Sequence, residues 1–132
     1  MPTVLVVNDD RDMLEMYEAV LEELGHRPEL REDMNPKPGD VIAAGADALV
    51  IDLQAESDQL AGLRAIEGIR AHPATSDIPI VLATAAAEEV QPLISRLKDL
   101  DVPVLIKPFA IDKLRAVLEM VLPSPEEQAP TA

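Results

Sequence analysis

Cysteine and tryptophan are absent from the 132-residue chain, and tyrosine and phenylalanine occur once each. Without cysteine there is no disulfide, no thiolate metal site and no thiol nucleophile, and the composition suits a reducing cytoplasm, the expected location. His26 and His72 are the only histidines, too few and too far apart for a histidine-rich metal site. Positive charge is scarce: 11 Lys and Arg stand against 25 acids, for a net charge of −14. With no basic patch to offset it, neither nucleic acid nor an anionic membrane is expected as a direct partner. No apolar run approaches the ~20 residues of a membrane span. A strand-like run begins at Thr3, so no signal peptide is expected. The glycines form no phosphate-binding loop, which argues against a P-loop or a dinucleotide fingerprint.

What the chain does have is aliphatic bulk. It is 48% hydrophobic, and Ala, Val, Leu and Ile must fill the core. That composition suits a parallel sheet covered by helices. The runs "TVLVV" (3–7), "ALVI" (48–51), "IPIVLAT" (78–84) and "VPVLI" (102–106) read as buried strands, and "RPEL" (27–30) as a weaker one. Between them lie helical periodicities. Leu14, Tyr17, Leu21 and Leu24 follow an expected capping box of Asp12 and Glu15, and Gly25 closes the helix. A short helix is expected near Val41–Ala44, after the turn signal "NPKPGD" (35–40). Leu63, Ile66 and Ile69 mark a third helix. Residues 88–100 mark a fourth, with Pro92 tolerable only in its first turn. A fifth helix spans 111–122, with Leu114, Val117, Leu118, Val121 and Leu122 facing inward. Five strands alternating with five helices predict one domain over 1–122 with a parallel sheet between two helical layers. Residues 123–132, rich in proline and polar groups, read as a disordered tail.

Ligands of such sheets bind beyond the carboxyl ends of the strands. Asn8, Asp9 and Asp10 follow the first strand, Asp52 the third, Thr84 ends the fourth, and Lys107 with Pro108 follows the fifth. Few hard oxygen ligands with room for water and phosphate suit Mg²⁺. A carboxylate beside that ion can attack a phosphoryl group and become an acyl phosphate. A lysine then neutralises the added oxygens, and a threonine hydroxyl can hydrogen-bond one of them. Asp52 alone would as readily be a loop cap. Its company at one edge is what favours chemistry.

The stretches "VLVVNDD" (4–10), "LVIDL" (49–53), "IRAHPATSDIPIVLATA" (69–85) and "VLIKPF" (104–109) together resemble the receiver domain of two-component response regulators, over residues 3–122. The resemblance implies a flavodoxin-like, doubly wound α/β fold with strand order 2-1-3-4-5. It implies phosphorelay signal transduction, with Asp52 as phosphoacceptor, Thr84 as switch hydroxyl and Lys107 as the phosphate-pairing lysine. Mg²⁺ would be held by Asp9, Asp52 and the backbone carbonyl of Gln54, with Asn8 acting through water. The implied partners are a histidine kinase or phosphotransfer protein and a downstream protein target, with a homodimer left open. No enzymatic turnover is implied.

Three features depart from the family. Asn8 stands where the first of an acidic pair is usual, although pairing Asp9 with Asp10 is an alternative alignment. Two charges ~4 Å apart interact by up to ~4 kcal/mol at an effective dielectric of ~20. Losing one charge is thus expected to weaken Mg²⁺ binding and to stabilise the empty site. Val104 stands where an aromatic usually swings inward. The loop "LQAESDQLAG" (53–62) lacks the usual proline and is about two residues longer before Gly62. Asn8 and Val104 favour an alternative reading, a docking module that works without phosphorylation. A metal-dependent phosphohydrolase is a third and more distant reading, for which no second catalytic acid has a clear place.

Overall fold

The computed structural model describes residues 2–53, 60–85, 87–107 and 111–121. The elements run β1 (Thr3–Val7), α1 (Arg11–Glu23), β2 (Arg27–Arg31), α2 (Pro38–Ala44), β3 (Ala48–Ile51), α3 (Ala61–Ala71), β4 (Ile80–Thr84), α4 (Ala87–Val90), a 3₁₀ turn (Gln91–Leu93), α5 (Ile94–Asp99), β5 (Val104–Ile106) and α6 (Ile111–Val121). The strands form one sheet in the order β2-β1-β3-β4-β5. Every neighbouring pair is parallel. This is the expected flavodoxin-like α/β fold.

Period-2 alternation divides the core into two layers. Leu5, Val7, Leu49, Ile51, Ile80 and Leu82 face α2, α3, α4 and α5. Val4, Val6, Ala48, Val50, Val81, Ala83 and Leu105 face α1 and α6. All four residues of β3 and all five of β4 are buried, because these strands are covered on both faces. The edge strand β2 is mixed in burial, which is why its pattern is faint. On α6, Leu114 and Leu118 are buried as expected and Val117 packs against the same layer. The inward placement of Val121 and Leu122 and the tail at 123–132 fall outside the side chains described.

Several expectations shift locally. The N-cap of α1 is Asp10, not Asp12: its side chain accepts from the N–H groups of Asp12 and Met13 at 2.9 and 3.5 Å. Asp12 instead sits in the first turn, where the helix dipole favours an acid. The helix expected over 88–100 is divided. Proline has no N–H and its ring crowds the preceding turn. Around Pro92 the chain therefore tightens into the 3₁₀ turn between α4 and α5. Counting that interrupted segment once gives the five helices expected. β4 and β5 start two residues later than the apolar runs suggested, beyond Pro79 and Pro103, which have no N–H to give to a ladder.

Candidate functional site

The direction of the winding reverses at β1, which pairs with β2 on one side and β3 on the other. The carboxyl ends of β1 and β3 therefore flank a switch point, the usual ligand crevice of this architecture. Each candidate side chain there hangs from the last rung of a ladder. Asn8 donates its backbone N–H to Arg31 O at 3.1 Å, Asp52 to Val7 O at 3.2 Å and Lys107 to Thr84 O at 2.8 Å. Sheet register thus sets the positions of all three. Asn8, Asp52 and Lys107 continue the parity of Val6, Val50 and Leu105, which places them on the α1–α6 layer.

There they converge. Lys107 Nζ lies 3.1 Å from Asp52 Oδ2, in a pair whose side chains keep only 14% and 16% of their exposure. Asn8 Nδ2 donates to the same oxygen over a longer 3.4 Å. Asn8 is buried, and its Oδ1 accepts the backbone N–H of Asp10 at 2.8 Å. Asp9 is exposed beside them. Thr84 is buried at the end of β4, in register with Ile106. It shares the parity of Ile80 and Leu82, so it reaches the rim from the opposite layer. Of the expected site residues, Asn8, Asp52 and Lys107 are in direct contact, and Asp9 and Thr84 border them. Gln54 lies outside the described residues.

The donor set suits a hard cation sparingly. Asp9 and Asp52 supply two carboxylates, and Mg²⁺ commonly takes one or two, completing its shell with water and phosphate. Among the described residues no group of three His, Cys, Asp or Glu forms a ready-made metal cluster. Two cavities among the described residues lie away from the rim. The larger, about 670 Å³, is lined by residues including Ile80, Ile94, Lys98, Val104 and Met120. Neither Asp52 nor Lys107 lines it.

Two participants had no clear signal in the sequence. Gly62 is buried in the first turn of α3 and donates its N–H to Leu53 O at 2.8 Å. A Cβ there would overlap the carbonyl oxygen of Asp52 and come within 2.8 Å of Leu53 Cα. Only glycine lets α3 lie against the peptide that follows the phosphoacceptor candidate. Tyr17, read from its spacing as a helix-face residue, is 1% exposed, and its hydroxyl has no hydrogen-bond partner among the described residues. Burial, with a smaller contribution from the charge of Asp52, pushes this phenol above its usual range. The chain's single tyrosine is therefore a neutral group in the electrostatic field of the rim.

A family model described as the response regulator receiver domain matches residues 4–119. The phosphate regulon transcriptional regulatory protein PhoB of Escherichia coli (strain K12) is 26% identical over 132 residues, covering 95% of this chain and 55% of that protein. The chain thus spans about half the length of the curated relatives it matches. Among solved structures, a sensor protein from Polaromonas sp. JS666 superposes with a TM-score of 0.78 at 24% identity, covering 91% of this chain and 94% of that one. The receiver domain of sensor histidine kinase PA1611 from Pseudomonas aeruginosa PAO1, solved with a magnesium ion coordinated in its active site cleft, gives 0.75 at 26% identity, covering 91% and 96%.

Proposed function

Because the chain belongs to the response regulator receiver domain family, we propose that Asp52 accepts a phosphoryl group from a phosphohistidine presented by a histidine kinase or phosphotransfer protein. A carboxylate oxygen of Asp52 attacks phosphorus, the P–N bond breaks, and the imidazole leaves with its electron pair and takes up a proton. The product is an acyl phosphate on Asp52. The observation that carries this reading is the half-buried Lys107–Asp52 pair at 3.1 Å. An ammonium already docked on the acceptor stands ready to neutralise the equatorial oxygens as they arrive. Thr84, at the adjoining strand end, offers a hydroxyl to one of those oxygens.

Asp9, Asp52 and the carbonyl of Gln54 would hold Mg²⁺, with Asn8 at its water shell. The ion would supply electrostatic neutralisation of the transferring group. The magnesium ion in the cleft of the Pseudomonas receiver supports this assignment. Phosphorylation would then bias a surface on α5, β5 and α6, where Ile94, Ile106, Ile111 and Met120 are exposed apolar residues suited to a downstream protein or a second copy of the chain. The module signals and turns over no free substrate. Its net charge of −14 disfavours direct nucleic-acid contact. Among the described residues no helix is long and apolar enough to cross a membrane, in keeping with a cytoplasmic module.

Intact-mass analysis after treatment with a small phosphodonor and Mg²⁺ tests the proposal. One added phosphoryl group is expected, absent from Asp52→Asn. No label, or equal labelling of the variant, overturns it. A receiver-like docking module that needs no phosphate is the second reading, favoured by Asn8 and by Val104, which borders the larger cavity in place of an aromatic. It predicts partner binding unchanged in Asp52→Asn.

A further inference from the structure

An asparagine amide has one accepting end and one donating end, and only the surrounding hydrogen bonds assign them. At Asn8 they are assigned. The backbone N–H of Asp10, in the turn that starts α1, must meet an acceptor, so Oδ1 faces it at 2.8 Å. Nδ2 is left toward Asp52 Oδ2, at 3.4 Å. Lys107 Nζ reaches the same oxygen at 3.1 Å. Asn8 is itself only 2% exposed, so water competes little for the amide.

We infer that Asn8 is a positioning residue for the phosphoacceptor: its amide and Lys107 clamp Oδ2 of Asp52 from two sides and hold the carboxylate in place before any cation arrives. The inference rests on the reading of Asp52 as phosphoacceptor. A carboxylate at position 8 could not act this way. Ionised, it has no proton to donate, and it would add a third acid beside Asp9 and Asp52, which only a cation could reconcile. With asparagine the rim carries two acids against one ammonium, and the neutral donor performs part of the alignment that a metal would otherwise supply. The metal-free site is therefore ordered at the expense of cation affinity.

Two measurements test the clamp without a phosphoryl donor, so their failure is distinguishable from failure of the phosphoacceptor reading. The first is a double-mutant cycle in EDTA with Asn8→Leu and Asp52→Ala, read as melting temperature. Leu keeps the branched shape of Asn8 and removes the donor. The cost of losing the Asp10 contact is common to both arms and cancels. The clamp predicts that Asn8→Leu lowers the midpoint by ~3 °C more in the wild-type background than in Asp52→Ala. Additive effects overturn it. The second measurement is a Mg²⁺ titration of wild type and Asn8→Asp, followed by melting temperature with the fluorescence of the single tyrosine, Tyr17, as an internal signal. This measurement stands even where Asn8→Leu fails to fold. A Mg²⁺ dissociation constant ~10-fold lower in Asn8→Asp is expected from restoring one nearby charge. An unchanged or higher constant overturns the inference.

Discussion

The two edges of the sheet use polar groups in opposite ways. At the amino ends of β4 and β5, Arg70 spends its guanidinium on backbone carbonyls. It donates to Leu100 O at 2.8 Å, Ser76 O at 3.2 Å, Asp101 O at 3.4 Å and, closely, Ile78 O. Burial pushes its pKa down, yet the charge stays and is spread over acceptors that never titrate. At the carboxyl edge, Lys107 and Asn8 donate to one titratable carboxylate instead. Donors committed to main-chain carbonyls staple loops together. Donors gathered on a single reactive side chain leave that group exchangeable. The comparison shows why charge and hydrogen bonding alone do not mark a site; what marks it is the chemistry of the acceptor.

The most severe way to break the contrast is Gly62→Ala. Its Cβ would overlap backbone, not a yielding side chain, so α3 must move away from the Asp52–Leu53 peptide. A loss of about 3 kcal/mol in denaturant unfolding is expected, with weaker labelling of whatever remains folded. Arg70→Met sharpens the contrast from the other edge. It leaves several carbonyls without their charged donor and should cost about 2 kcal/mol in the same assay. Asp52 labelling per folded molecule should stay at the wild-type level, and a parallel loss of labelling would erase the distinction between the edges. The smallest effect, and one of opposite sign, belongs to Tyr17→Phe. Removing a buried hydroxyl that has no partner among the described residues should raise stability by about 1 kcal/mol. A destabilised Phe variant would mean that the hydroxyl is paired in solution.

The same contrast explains what could be read from the chain alone. Strands β1, β3 and β4 announce themselves as continuous aliphatic runs because both their faces are covered, and Asp52 stands out because it interrupts such a run. The rim residues were legible for that reason: each follows directly on a strand end, and register does the rest. Sequence spacing puts the cap of α1 two residues late, at Asp12, because Asp10 and Asp12 are chemically equivalent and only the path of the β1–α1 turn decides between them. The break at Pro92 had its cause in view but not its position within the helix. Gly62 and Tyr17 were opaque for a different reason. Their importance lies in tertiary placement, Gly62 against the backbone of Asp52 and Tyr17 in the field of its charge, and neither leaves a periodic trace.

The central claim is that Asp52 is the group that takes the phosphoryl. Borohydride reduction of the phosphodonor-treated protein, followed by peptide mapping, addresses it at the level of a single residue, since an aspartyl phosphate is reduced to homoserine. The account predicts homoserine at position 52 and at no other carboxylate, including Asp9 and Asp10. Reduction at one of those neighbours, or at none of the chain's acids, would contradict it.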